Sequence, residues 1–340
     1  MPERPPTSHD VARLAGVSQP TVSRALRDEA GVSEATKQAV RAAAEQLGYI
    51  PIQRGRSLST SRSGQIAVVV HDLATPFSLE ILQAADAVLH GAGQRMLVLT
   101  PDAADEALAP RLLDGSLDGA ILTTTMLDSS LPQRLARRGL PFVLLNREVD
   151  DAPGDVCVVD NVAGGRLAAE ELLAAGHREI AALFGPAQTS TGRDREAGFR
   201  AALAEAGVAL PERRTRRGPY TFAFGRAATA ALLETRPTAL FCGDDVVAIG
   251  AYNALLARGA SVPGDVSLIG FDDLSLAAWD VFQLTTVRGD LVRLMRTAAE
   301  LLLERIAIGS GREQPPPRRV VQAVEIVRRR TVGPAPARRR

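Results

Sequence analysis

Two hydrophobic rhythms divide the chain. In the first fifty residues apolar positions recur at helical spacing: Val11, Leu14 and Ala15, then Val22 and Leu26, then Val40, Ala43, Ala44 and Leu47. This predicts three short helices, each turning one apolar stripe toward a small shared core. From Gln65 onward the rhythm changes to short unbroken apolar runs: QIAVVV, RMLVL, GAILT, PFVLL, EIAALF, TALFC and VSLIG. Helix-length segments near 77–90, 129–138, 164–174, 194–206, 225–234, 246–258 and 291–308 lie between or after them. Buried strands alternating with helices predict parallel sheets covered on both faces. Two such series, joined near 160–161 and again near 286–290, predict two Rossmann-like lobes.

The helix boundaries in the first fifty residues carry more information than the stripes do. Thr7 and Asp10 approximate a capping box, and Gly16 supplies the left-handed residue that ends such a helix. Ser18 caps the next helix, and Ser33 and Gly48 bound the third. With Val22 and Leu26 inward, Gln19, Pro20 and Arg24 turn outward on a short second helix. That is the geometry of a DNA-reading helix-turn-helix. Gln bonds an adenine edge and Arg a guanine edge through two parallel hydrogen bonds; Pro20 offers only apolar contact. Ser18, Thr21 and Ser23 are expected to cap or to meet phosphate, which positions without specifying.

Charge sharpens this division. Over 340 residues the net charge is only +1. Yet arginines 4, 13, 24, 27, 41, 54, 56 and 62, with Lys37, outnumber the acids of the first sixty or so residues. A mildly basic head on a near-neutral body suits reversible contact with nucleic acid. The Ser/Thr/Arg/Gly-rich stretch 51–63 reads as a linker. The expected organisation is therefore 1–50 helix-turn-helix, 51–63 linker, and 64–330 two-lobed α/β domain. In the latter, lobe 1 takes about 64–160 and 290–320, and lobe 2 takes 161–289 and 321–330. The Pro/Ala/Arg end, 331–340, reads as a disordered tail.

Composition excludes more than it assigns. Hydrophobic residues make up 46%, enough for a sizeable aliphatic core. Cys157 and Cys242 lie far apart in strand-like runs and read as buried thiols. The four histidines have no metal-ligand spacing, so neither a metal nor another cofactor is expected. No apolar run approaches the 18 or so residues of a membrane span, and no signal peptide is evident, which predicts a cytoplasmic protein without a membrane partner. Glycine-rich nucleotide loops, a nucleophile elbow and paired acid–base residues are also missing, which argues against an enzyme.

Ligands of such sheets sit beyond the carboxyl ends of the strands, here between the lobes. Asp272 ends an apolar run, where its carboxylate can accept from two hydroxyls of a polyol. Arg195, near a helix start, offers a planar fork of donors. Asp245 is expected to cap the following helix. Trp279, the one tryptophan, has the face on which a sugar ring stacks.

Several of these stretches together, in order, resemble the lactose-repressor (LacI/GalR) family of transcription factors. They are DVARLAGVSQPTVSRAL, VSEATKQAVRAAAEQLGYIP, DNVAGG, AGHREIAALFGP, REAGFRAAL, VPGDVSLIGFDD and LTTV, spanning about Thr7 to Thr331. The resemblance implies an N-terminal all-α helix-turn-helix domain plus an α/β two-lobed periplasmic-binding-protein-like sensor domain. It further implies a homodimer on a pseudo-palindromic double-stranded DNA operator, acting as a repressor released by a sugar-type inducer. A corepressor-type regulator answering a purine or another small metabolite is the alternative. The linker becomes a hinge helix in which Leu58 wedges into the minor groove and Arg54 and Arg56 meet phosphates. Ile52 and Gly55 replace the usual Asn and Ala, which predicts a less helical hinge. Ser8 replaces an apolar residue, which predicts a looser start to the first helix. For the effector, the resemblance points to Asp272 and Arg195, to Asp244 in place of the usual Asn, and to Tyr220, Phe77, Ser78, Asn146 and Thr191. No heptad pattern near the end favours a tetramer.

Overall fold

A computed structural model describes residues 6–26, 28–49, 62–101, 108–309 and 312–336. The chain divides into two compact units, Met1–Ser63 and Gly64–Arg340. The first holds helices α1 (Ser8–Ala15), α2 (Gln19–Leu26) and α3 (Glu34–Leu47). The α1 start is closed by Asp10, whose carboxylate accepts from the Thr7 amide at 2.9 Å and the Thr7 hydroxyl at 2.6 Å. Gly16 and Gly48, at φ 67° and 62°, end α1 and α3 in the left-handed conformation that glycine adopts without strain.

Val11, Ala12, Val22, Ala25, Val40, Ala43 and Ala44 form the core of this unit. Leu14, expected inside, is instead 46% exposed. On a helix, residues 11, 12 and 15 span one arc of about 100° and residue 14 falls outside it. The small Ala12 takes the place beside α2 and α3, and α1 can thereby approach closely. The first helix begins at Ser8, whose hydroxyl accepts from the Gln19 side-chain amide at 3.4 Å.

In the second unit, the first sheet runs β11-β5-β4-β3-β1-β2 and is parallel throughout. Its strands are β1 (Gln65–Val69), β2 (Arg95–Leu99), β3 (Gly119–Leu122), β4 (Phe142–Leu145), β5 (Asp155–Val159) and β11 (Arg319–Gln322). Helices α4 (Pro76–Gly91), α5 (Leu108–Leu112), α6 (Leu131–Arg137) and α11 (Leu291–Ile308) cover it. The second sheet runs β12-β10-β9-β8-β6-β7, with only β12 antiparallel. It comprises β6 (Ile180–Phe184), β7 (Thr215–Arg217), β8 (Ala239–Cys242), β9 (Ser267–Phe271), β10 (Thr285–Arg288) and β12 (Glu325–Val327). Helices α7 (Asn161–Ala174), α8 (Ser190–Glu205), α9 (Phe222–Leu232) and α10 (Asp245–Ala257) pack on it.

The chain crosses between the sheets three times: after β5, between β10 and α11, and between β11 and β12. The last crossing lies at 322–325, slightly beyond the expected 320. Both cysteines are free and buried, and burial pushes the Cys157 thiol up to about 12.

The end of the chain departs from expectation. The Thr331 hydroxyl donates to the Leu268 carbonyl at 2.6 Å and accepts from the Thr285 amide at 2.9 Å. Gly333 and Ala335 bond to Ser267 and Ala175. Residues 331–336 are thus docked on the second lobe, because backbone polar groups left open beside β9 find partners there. Residues 337–340 lie outside the described residues.

Candidate functional site

In the first unit, α2 is the helix whose N-terminal end is polar. The Ser18 hydroxyl lies 3.4 Å from the Thr21 amide and 2.8 Å from its hydroxyl, so this pair closes the helix start. Pro20 is exposed in the first turn, where its missing N–H costs nothing. Gln19, Thr21 and Ser23 are half-buried. Arg24 is exposed, with one nitrogen 3.1 Å from the Ala30 carbonyl and another 3.6 Å from Glu29. Both contacts are solvent-exposed and weak, and the fork can exchange them for another acceptor. Arg54, Arg56 and Leu58, with the hinge assigned to 51–63, fall outside the described residues except for its last two positions.

In the second unit a cavity of about 660 Å³ opens between the lobes at the carboxyl ends of their strands. Phe77 and Ser78 reach it from the first turn of α4, whose start is capped by Thr75. Thr123 and Thr124 follow β3, and Asn146 and Arg147 follow β4. The other lobe contributes Thr191 and Arg195 from α8, with Tyr220, Asp244 and Asp272. Eight of the nine residues expected to meet an effector therefore line one cavity.

The ninth does not. Trp279 is 59% exposed and stacks on Phe282, with centroids 6.4 Å apart, outside this cavity. A short turn, Ser275–Ala278, carries the chain away from the strand end before the indole is reached. Aromatic character alone gave no direction.

Arg195 is buried and uses its donors on the protein. Nε reaches the Asn161 side-chain oxygen at 2.8 Å, Nη1 the Gly243 carbonyl at 2.6 Å and Nη2 the Asp272 carboxylate at 2.7 Å. Its flat face lies 3.7 Å from the centroid of Phe271. The guanidinium thus orients Asp272, and it is the Asp272 carboxylate that presents acceptors to the cavity. The backbone at Asp272 has φ 105°, a conformation costly for a side-chain-bearing residue and common at ligand clamps. Gly185 leaves the space that the Tyr220 ring fills; a Cβ there would overlap it.

Of the two adjacent acids, Asp244 lines the cavity as expected but also takes the helix-capping role expected of Asp245. Asp244, not Asp245, caps α10, its carboxylate accepting from the Val247 amide at 2.7 Å. Burial, helped by the nearby Asp272 charge, pushes Asp244 up to about 7. Asp245 is fully buried and accepts from the Thr286 hydroxyl at 2.6 Å and the Leu274 amide at 2.8 Å. It ties the loop after β9 to α10, because β9 and β10 lie beside the start of that helix. Burial raises its carboxyl well above the ordinary range.

Arg147 directly follows Asn146 at a strand end, the position at which ligands sit, but was not among the residues singled out for the effector. Among the described residues its guanidinium has only the Thr124 carbonyl at 3.3 Å and the Met126 sulfur at 4.0 Å. Its Nε is buried without a hydrogen-bond partner. Burial lowers its affinity for the proton, while Tyr220 and Asp272 favour its charge and Arg195 opposes it. No three-residue metal cluster and no helix long and apolar enough to cross a membrane occur among the described residues.

Comparison with known proteins agrees with this geometry. Residues 7–51 match the model for bacterial regulatory proteins of the lacI family, and residues 169–332 match a periplasmic binding protein-like domain. The regulator CelR of Thermobifida fusca is 34% identical over 336 residues, covering 96% of this chain and 98% of that protein. The ribose operon repressor of Escherichia coli is 33% identical, covering 88% of this chain and 93% of that protein. Among solved structures, a CelR–cellobiose complex superposes with TM-score 0.73 at 32% identity, covering 96% of this chain and 100% of that one. A lac repressor dimer bound to operator and an anti-inducer gives TM-score 0.84 at 28% identity, covering 96% and 99%.

Proposed function

Since this chain belongs to the LacI family of bacterial regulatory proteins, we propose that it is a repressor whose grip on operator DNA is released by a sugar-type effector. The observation that carries the sugar is the Asp272 carboxylate, held by Arg195 with acceptors facing a 660 Å³ cavity beside Thr123, Asn146 and Tyr220. A carboxylate of fixed direction accepts from vicinal hydroxyls, and a cavity of this size holds a mono- or disaccharide. The CelR relative was solved with cellobiose, and another family structure, from Enterococcus faecium, with ribose.

Gln19 and Arg24 on α2 would read base edges, with Ser18, Thr21 and Ser23 at the backbone and Pro20 as an apolar contact. Arg54, Arg56 and Leu58 would act from the hinge. A homodimer supplies two such helices, as in the lac repressor dimer on its operator, so the site should be a pseudo-palindrome. Effector binding would alter the angle between the lobes and thereby favour one DNA-binding geometry. The protein would work in the cytoplasm, without turnover of its ligand.

The test begins with selection of binding sites from random duplex DNA by the purified chain, followed by thermal shift against sugars, nucleosides and purines. The expected result is an enriched two-fold-symmetric site and a sugar that stabilises by about 2.7 kcal/mol at 100 times its Kd. That sugar should lower operator affinity. A purine that raises operator affinity would replace the inducer reading with a corepressor, and the absence of any symmetric site would overturn the DNA assignment.

A further inference from the structure

The two walls of the cavity differ in how far their charges are matched. On the second lobe, Arg195 is neutralised by Asp272 and carries three close hydrogen bonds and a ring face. Asp244 has its charge suppressed by burial and spends an oxygen on the α10 start. The first lobe offers Arg147, whose charge meets no carboxylate within ion-pair distance among the described residues and whose contacts are a long carbonyl bond and a thioether. Asp72 and Asp128 line the same cavity but are exposed, where water screens them. Inside, the Asp272 carboxylate is paired with Arg195, and Arg147 has no carboxylate partner of its own among the described residues. A buried charge left this way is costly, and a planar fork with open donors fits an oxyanion in bidentate fashion.

We propose that the effector is an anionic sugar, whose carboxylate or phosphate pairs with Arg147 while its hydroxyls meet Asp272 on the opposite wall. This rests on the sugar reading and deepens it. The acid group supplies the missing counter-charge at the β4 end, and the two-ended grip explains how one ligand holds both lobes together. Tyr220 lines the same cavity, and its buried hydroxyl, without a hydrogen-bond partner among the described residues, is a further polar contact for the ligand.

Matched pairs of ligands on the full chain test the inference by titration calorimetry. The pairs are glucose with glucuronate, galactose with galacturonate, glucitol with gluconate, and cellobiose with cellobionate; glucose with glucose 6-phosphate separates phosphate from carboxylate. At least one acid should bind tenfold or more tightly than its neutral partner. Arg147→Gln should erase that preference and Arg147→Lys restore part of it, whereas Asp272→Asn should weaken both members of the pair. If the neutral sugar binds as tightly as the acid in every pair that binds, the anionic inference falls and the sugar reading stands. If no member of any pair binds, both fall. Where Arg147→Gln does not fold, Arg147→Lys decides: a reduced preference for the acid supports the pairing, and an undiminished one overturns it.

Discussion

Arg195 and Asp272 lie 2.7 Å apart, and the same guanidinium stacks at 3.7 Å on Phe271, the residue immediately before the carboxylate. Strand end, charge and ring are thus locked as one unit. Removing one partner of such a buried pair leaves an unmatched charge, which costs about 3–5 kcal/mol. Asp272→Ala should lose about that much stability in urea unfolding without ligand. Asp272→Gly should lose about 1 kcal/mol less, since glycine relieves the strain of a positive φ at this position. Equal losses in the two variants would mean that the backbone there carries no strain.

Asp244 predicts an unusual pH dependence. Its carboxyl, pushed up to about 7 by burial and by Asp272, keeps a proton that the unfolded chain releases near the ordinary 3.8. The folded state therefore binds more protons between these values, and the associated stability is complete below the lower one. It is lost as pH rises through about 7. Asp245, raised by burial as well, acts in the same direction. Asp244→Asn preserves a residue type suited to the α10 cap. Its unfolding free energy should fall less steeply between about pH 5 and pH 8 than that of the unsubstituted chain. Parallel curves for the two proteins would show that Asp244 does not titrate there.

Much of the fold was legible because buried parallel strands read as unbroken aliphatic runs, and each of the seven runs became a strand. What was illegible depended on partners distant in sequence. Asp155 begins β5 with a fully buried carboxylate, which looks unlike a strand until Arg305, on α11, is found 2.6 Å away. Strands β11 and β12 are half-exposed edges, where the apolar signal is weak. Within the cavity, strand-end position pointed to Asp272, and the family resemblance added Asn146. The shift of the α10 cap from Asp245 to Asp244 turned on one residue of helix register. Arg147 stands at a strand end, but its significance lies in what fails to surround it, and no local pattern records that.

Helices α7 and α8 approach so closely that glycine is required on both. A Cβ at Gly165 would overlap the Arg195 carbonyl, and one at Gly198 the Val162 carbonyl. Gly165→Ala and Gly198→Ala should each cost about 1–3 kcal/mol as the helices separate. Because Gly165 rests on the backbone of Arg195, its substitution should also weaken effector binding. Leu232→Ala, at the buried end of α9, supplies the comparison: similar destabilisation with affinity retained. Equal affinity losses in both variants would trace the effect to general loosening.

The docked chain end supplies the last prediction. His177 is buried, with Nδ1 3.0 Å from the Thr238 hydroxyl and Nε2 2.9 Å from the Ser267 hydroxyl and 3.1 Å from the Gly333 carbonyl. Burial lowers its pKa below the ordinary 6.5, so the imidazole is held neutral. Its contribution is then present above 6.5 and is lost as pH falls through the lower folded value. Deleting 331–340 removes the Gly333 contact and the three hydrogen bonds of Thr331, at about 1 kcal/mol for each bond. The truncated chain should therefore unfold at lower urea at every pH. On acidification below 6.5 the full chain should lose stability as His177 takes up its proton. A truncation without effect on the urea midpoint would mean that the docked segment adds nothing to the second lobe.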